Sequence, residues 1–345
     1  ADTSGNYTVD SYSTGSYVSH LKLDANSRIS LSNNDSGSQN TLLGYLAGED
    51  IASGGNDNSF VGFGAGKQVT TGDSNTAVGS YALNTSVDGD ANTAIGYDAL
   101  ALYEGGDNEG FNTAVGADAG AYLDTGQNNT LIGYKAGFGV SAGVASFANN
   151  VAVGSNALLA ITTGSGNCVL GQGAAVALTT GADNVAIGRA SLAATVAGMN
   201  DNIAIGGSAL ANANNSSSVG NIAIGTSALD AIGTNAHTGT IAIGHQALTA
   251  LTTGGGNTAI GYLSADAMTD GYNNVALGHS ALGVSVSGRS MVALGYGAMG
   301  DGNITTAAEG TVGVGYGALA ALTSGDGNVA VGYTAGAALT DGQYN

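Results

Sequence analysis

Three carboxylates crowd a short stretch, Glu104, Asp107 and Glu109, with Tyr103 beside them. Two acids held ~5–9 Å apart can cleave a glycosidic bond, one as acid and the other as base or nucleophile. The same oxygens could hold a hard cation. Acids gathered on one loop more often serve solvation. These four residues are therefore candidate recognition residues, with no catalytic role assigned to them. His245 and His279 stand in one column of a recurring phrase, with Tyr262 between them. At the ~4.8 Å step of stacked β-coils they lie about 10 Å apart, too far for one zinc with ligands near ~2 Å. Only copies of the chain meeting on an axis could share a metal there. The same column holds Tyr45, Tyr97, Tyr134, Tyr296, Tyr316, Tyr333 and Phe63. Such a strip could bind sugars, but a stacked column that shields a surface is the commoner use. Cys168 stands where other copies carry Val, Thr or Ile, and reads as a small buried apolar side chain. No Ser–His–Asp set, phosphate loop or Gly-Gly-x-Gly-x-Asp calcium repeat occurs. The expectation is a chain that is not an enzyme and holds no cofactor and no metal.

Composition narrows the partners. Lys plus Arg number 6 and Asp plus Glu 25, a net charge of −19. That balance opposes nucleic acid or an acidic membrane as partner. One Cys excludes a disulfide framework. Absent Pro excludes collagen, and 43% hydrophobic residues argue against disorder. No apolar run reaches the length of a membrane span.

A repeat must position these residues. The phrase Asn75-Thr76-Ala77-Val78-Gly79 returns at Asn92–Gly96, Asn202–Gly206 and Asn328–Gly332 with small changes. With the final Gly as anchor, seventeen copies run from Gly44 to Gly332. Nine of the sixteen intervals are 17 residues and the rest are 18 to 21. Insertion is tolerated and deletion is not, so the coil has a minimum circumference. The structural anchors are Gly79, Gly96, Gly206 and Gly332, where positive φ or close chain approach is expected. Asn75, Asn92, Asn202 and Asn328 are the others, suited to corner bonds or an amide ladder.

The residue before the anchor is Val, Ile or Leu in all copies, and two places earlier Val, Ile or Thr in fifteen. Between them stands Ala in twelve, including 77, 94, 114, 152, 186, 204 and 223. A strand apolar on both sides predicts burial on both faces, the Ala column needing a cover from outside the coil. Two short extended stretches and two Gly/Asn turns per unit predict an all-β, parallel β-solenoid of about 17 coils, roughly 80 Å long. Absent Pro leaves every N–H free for the ladder. The insertions Ala101–Phe111, Phe138–Asn149 and Gly300–Gly310 should bulge from one corner, free of structural duty and able to carry recognition.

Residues 1–39 lack the repeat. Leu21–Asp24 and Arg28–Leu31 flank Ala25-Asn26-Ser27 and predict a short β-hairpin in an N-terminal adaptor. The repeat domain is 40–345. The chain opens without Met and stops where the next leading Asn would fall, so the natural protein is expected to continue.

The phrase Asn-x-Ala-Ile/Val-Gly followed by x-x-Ala-Leu or Ala-Gly resembles the left-handed parallel β-roll of trimeric autotransporter adhesin heads. The longer unit is more similar to repeat regions of bacteriophage tail-fibre and tail-spike proteins. The adhesin unit is shorter, and no coiled-coil stalk, membrane anchor or C-terminal self-cleaving chaperone is present here. The resemblance covers about Asn40–Asn345. It implies a left-handed roll, a homotrimer with Ala faces toward the axis, and an extracellular place in a virion tail fibre or cell-surface fibre. The functional expectation is a stiff shaft displaying insertion loops toward a glycan or protein receptor. A polysaccharide-degrading tail spike and an ice-binding solenoid are the alternatives. The second needs an exposed Thr-x-Thr face, whereas here Thr shares its face with the aliphatics.

Overall fold

The computed structural model describes residues 37–106, 109–140, 145–194, 198–213, 215, 217–231, 237–304 and 308–345, and the backbone of three strands before them. Those strands are β1 (Tyr7–Ser13), β2 (Ser16–Leu23) and β3 (Ile29–Ser30). β2 and β3 pair antiparallel with Leu23 opposite Ile29, which is the expected hairpin. β1 adds a further antiparallel partner to β2 that the sequence did not suggest.

From Thr41 onward the chain is a parallel β-solenoid. Seventeen strands of three residues, from β4 (Thr41–Leu43) to β20 (Val329–Val331), stack one per coil. The register holds each column on itself: Ala186 lies beside Ala204, then Ala223, then Ala242. The ladder continues outside the strands. Thr76 donates its N–H to Asn92 O on one side, while Gly79 and Tyr81 donate to Val61 O and Phe63 O on the other. A second strand per coil does not form among the described residues. That stretch keeps only isolated bridges such as Ala148 with Ser165 and Val219 with Thr238.

Asn side chains do the bonding at that corner. Asn202 Nδ2 donates to Asn184 Oδ1 (3.2 Å) and to Ser218 O (3.0 Å), and Asn202 Oδ1 accepts from both Asn221 nitrogens at 3.0 Å. The same pattern joins Asn75, Asn92, Asn112 and Asn129. The expected amide ladder is thus an interior one, and each Asn is buried. It breaks where the column changes: the buried Oγ1 of Thr240 has no hydrogen-bond partner among the described residues.

The anchor glycines meet both expectations. Gly206 has φ 132°, and a Cβ there would sit 2.6 Å from the Gly225 carbonyl. After the anchor, the second and fourth positions are left-handed even without glycine, as at Asp98 (φ 51°) and Leu100 (φ 49°). L-residues pay strain there, and burial of the leucine offsets it.

The strand's sidedness is the reverse of the expectation. Ala77 is 0% exposed and Val78 36%. The Ala column faces the coil's own interior, and the aliphatics on either side of it face out. No second chain is needed to cover Ala. The interior is filled from the far wall by Ala and Leu three and four places past the anchor, with an aliphatic column seven places past it: Ile51, Val69, Leu123, Ile161, Leu178 and Leu251 are all buried. A coil this narrow has room for Ala, not Ile, opposite Leu.

Insertions are less free than expected. Phe147, Ile304 and Ala308 are buried among the core residues, so two of the longer insertions send apolar side chains inward.

Candidate functional site

The outward side of the strand is a regular feature of the surface that runs along every coil. It carries two columns of Val, Ile, Leu and Thr, with Ser59 and Cys168 the exceptions, along seventeen coils, and no charged residue in either. Leu43, Ile95, Ile132, Leu170 and Ile260 are exposed. Cys168 belongs to this face and is exposed, which corrects its expected burial. Its column points out, so the Val, Thr and Ile that share it were no guide to burial.

The column after the anchor continues this side. His245, Tyr262, His279, Tyr296, Tyr316 and Tyr333 stack on six consecutive coils, with centroids 5.3, 5.0, 4.9, 5.2 and 5.2 Å apart. Most pairs are near parallel, and the tyrosines are exposed. A second run joins Tyr45 to Phe63 at 5.8 Å. His279 is flanked by two rings rather than by metal-ligating groups. Among the described residues, no group of three His, Cys, Asp or Glu is placed to hold an ion.

The described loop residues differ in exposure. Tyr103 is fully buried, seven places after Gly96, in the column of core aliphatics. Burial raises its phenol pKa far above the ordinary value, the charge of Glu109 adding to the rise. Its position in the repeat would have assigned it to the core. Glu104 is exposed and donates its N–H to Asp124 O. Glu109 accepts from the Gly106 N–H at 3.2 Å. Asp107 lies outside the described residues.

His237 received no role from sequence reasoning, yet it is fully buried. Its Nε2 is 3.2 Å from Thr252 O, and its Nδ1 has no partner among the described residues. Burial lowers its pKa below the ordinary value, and backbone bonds at Thr252 and Gly254 oppose that shift. No helix among the described residues is long and apolar enough to cross a membrane. Comparison with family models, curated proteins and solved structures finds no match to this chain.

Proposed function

We propose that the chain is a structural and adhesive fibre segment, a stiff shaft of a phage tail fibre or related extracellular fibre, self-associating as a homotrimer. The observation that carries this reading is the uncharged, mostly aliphatic face along seventeen coils. Sixteen steps of ~4.8 Å by ~7 Å across two columns give about 500 Å², and about 800 Å² with the adjoining column, which is aromatic on ten of the seventeen coils. A stable interface takes ~800 Å² per partner. A second copy is the partner that repeats at the same step over the same length, so apolar rows stay in register. The number three comes from the family resemblance.

Light scattering tests it: the trimer is three times the 33.2 kDa chain. Ile205→Lys with Ile224→Lys should yield a folded monomer. A wild-type monomer would remove the reading.

The outward face also favours a second reading, ice binding. Thr41, Thr76, Thr93, Thr113 and Thr130 share the exposed side with Val, Ile and Leu. Thermal hysteresis by the wild type, lost in Thr93→Lys, would support it. For the tail-spike alternative, glycan cleavage abolished by Glu104→Gln or Glu109→Gln would be the sign.

A further inference from the structure

A groove of about 240 Å³ lies on the outside of the turns, across the four coils anchored on Gly79, Gly96, Gly116 and Gly133. Tyr81, Asp98 and Asp118 reach it from the second place past successive anchors, each on left-handed backbone (φ 59°, 51° and 58°). Asn84, Tyr122 and Phe138 reach it from the fifth and sixth places. The Tyr122 and Phe138 rings pack together with centroids 4.5 Å apart.

Two carboxylates on adjacent coils thus sit between aromatic rings. Neither has a basic partner among the described residues, where the one ion pair is Lys67 with Glu49. Lys135, next in their column, instead lays its Nζ 4.8 Å from the centre of the Phe138 ring. The Oδ1 of Asn84 is buried and has no hydrogen-bond partner among the described residues. Burial raises the Asp98 carboxyl above its ordinary pKa, and the charge of Asp118 adds to the rise against the Tyr97 hydroxyl bond. The groove is therefore rich in acceptors, four of them carboxylate oxygens.

We propose that this groove binds an extended, uncharged glycan two to three sugars long. Aromatic rings offer apolar surface to the C–H faces of pyranoses, and sugar hydroxyls supply donors to Asn84 Oδ1, to Asp118 and to the Asp98 lone pairs that the Tyr97 hydroxyl does not use. Length decides against a small organic cation. Tyr81 and Phe138 lie three coils apart, about 14 Å, which a point charge cannot bridge and a short chain can. Acidic sugars are excluded by the paired carboxylates on a chain of net charge −19. The inference rests on the adhesive part of the proposed function and gives it a receptor class. Binding by the purified chain is read separately from self-association, so either can fail alone.

Calorimetric titration of the 345-residue chain tests it. The probes are cellohexaose, maltohexaose, chitohexaose and mannohexaose, with trigalacturonate as the acidic sugar and tetramethylammonium as the point cation. At least one neutral hexasaccharide should bind. Asp118→Asn and Tyr122→Ala should each weaken it tenfold or more, and Tyr122→Phe should restore it. Asp118→Asn should melt with the wild type, so its loss would not reflect unfolding. Binding of no neutral sugar, binding indifferent to Asp118 and Tyr122, or equal binding of trigalacturonate or tetramethylammonium would overturn the proposal.

Discussion

Phe60 and Gly66 divide one volume inside the coil: a Cβ built on Gly66 would lie 2.6 Å from Phe60 Cζ. The division recurs. Leu42 faces Gly48 and Leu131 faces Gly137, while Ala77 goes with Leu83 and Ala204 with Leu210. Where the strand carries a large residue, the turn carries a small one. Interiors packed near crystal density leave no slack for both.

The pairing predicts a rescue. Phe60→Ala should cost about 3–5 kcal/mol through the cavity it leaves. Gly66→Leu alone should cost about 1–3 kcal/mol by overpacking. Together they rebuild the Ala–Leu arrangement, and Leu already occupies φ 51° and 53° at Leu83 and Leu210. Urea denaturation should place the double variant above Phe60→Ala. Additive losses would refute the shared volume.

Much of this was legible in the residues. Gly206 and Asn202 announce a corner and a ladder by type and period, and both are found there. Sidedness was not legible. Alternation separates inside from outside only when one face is polar, and the Ile203-Ala204-Ile205 strand is apolar throughout. Size decides instead: Leu210 and Asn202 fill the coil and leave space for Ala. Tyr103 was misread because local acids drew attention from its distance to Gly96. The groove escaped notice because Asp98 and Asp118 are 20 residues apart and meet only through stacking.

Adjacent substitutions should therefore have opposite fates. Ala204→Glu places an unpaired charge in the core, where Ala204 is 0% exposed, and should abolish folding. Ile205→Lys puts its charge on the outward side and should leave the circular dichroism spectrum intact. Equal damage from both would contradict the assigned orientation.

Asn202→Ala should be costly beyond its size. It takes the acceptor from the buried Asn221 backbone N–H, while Asn221 Nδ2 keeps only His237 O, and it removes one donor from the Ser218 carbonyl. At ~1–3 kcal/mol per unsatisfied group, the loss should be about 1–3 kcal/mol. Chemical denaturation measures it. A change under about 1 kcal/mol would mean that the ladder contributes little.

His237 should make the fold acid-sensitive. In the unfolded chain a histidine takes its proton near ~6.5. In the fold, burial holds the pKa of His237 lower. Between the two values the unfolded chain binds more protons, so stability falls as pH drops from ~6.5 toward the folded pKa, and this contribution is level above it. Asp98, Asp230 and Asp266 act with the opposite sign. Burial raises their pKa, so in the window upward from 3.8 the fold takes protons first, and acidification there favours it. They cannot cause a loss that begins near ~6.5. His237→Gln keeps an amide donor for the Thr252 carbonyl and removes the titration. Its denaturation midpoint should decline less than the wild type's as pH falls below ~6.5. Parallel curves would show that His237 does not titrate as a buried, neutral side chain.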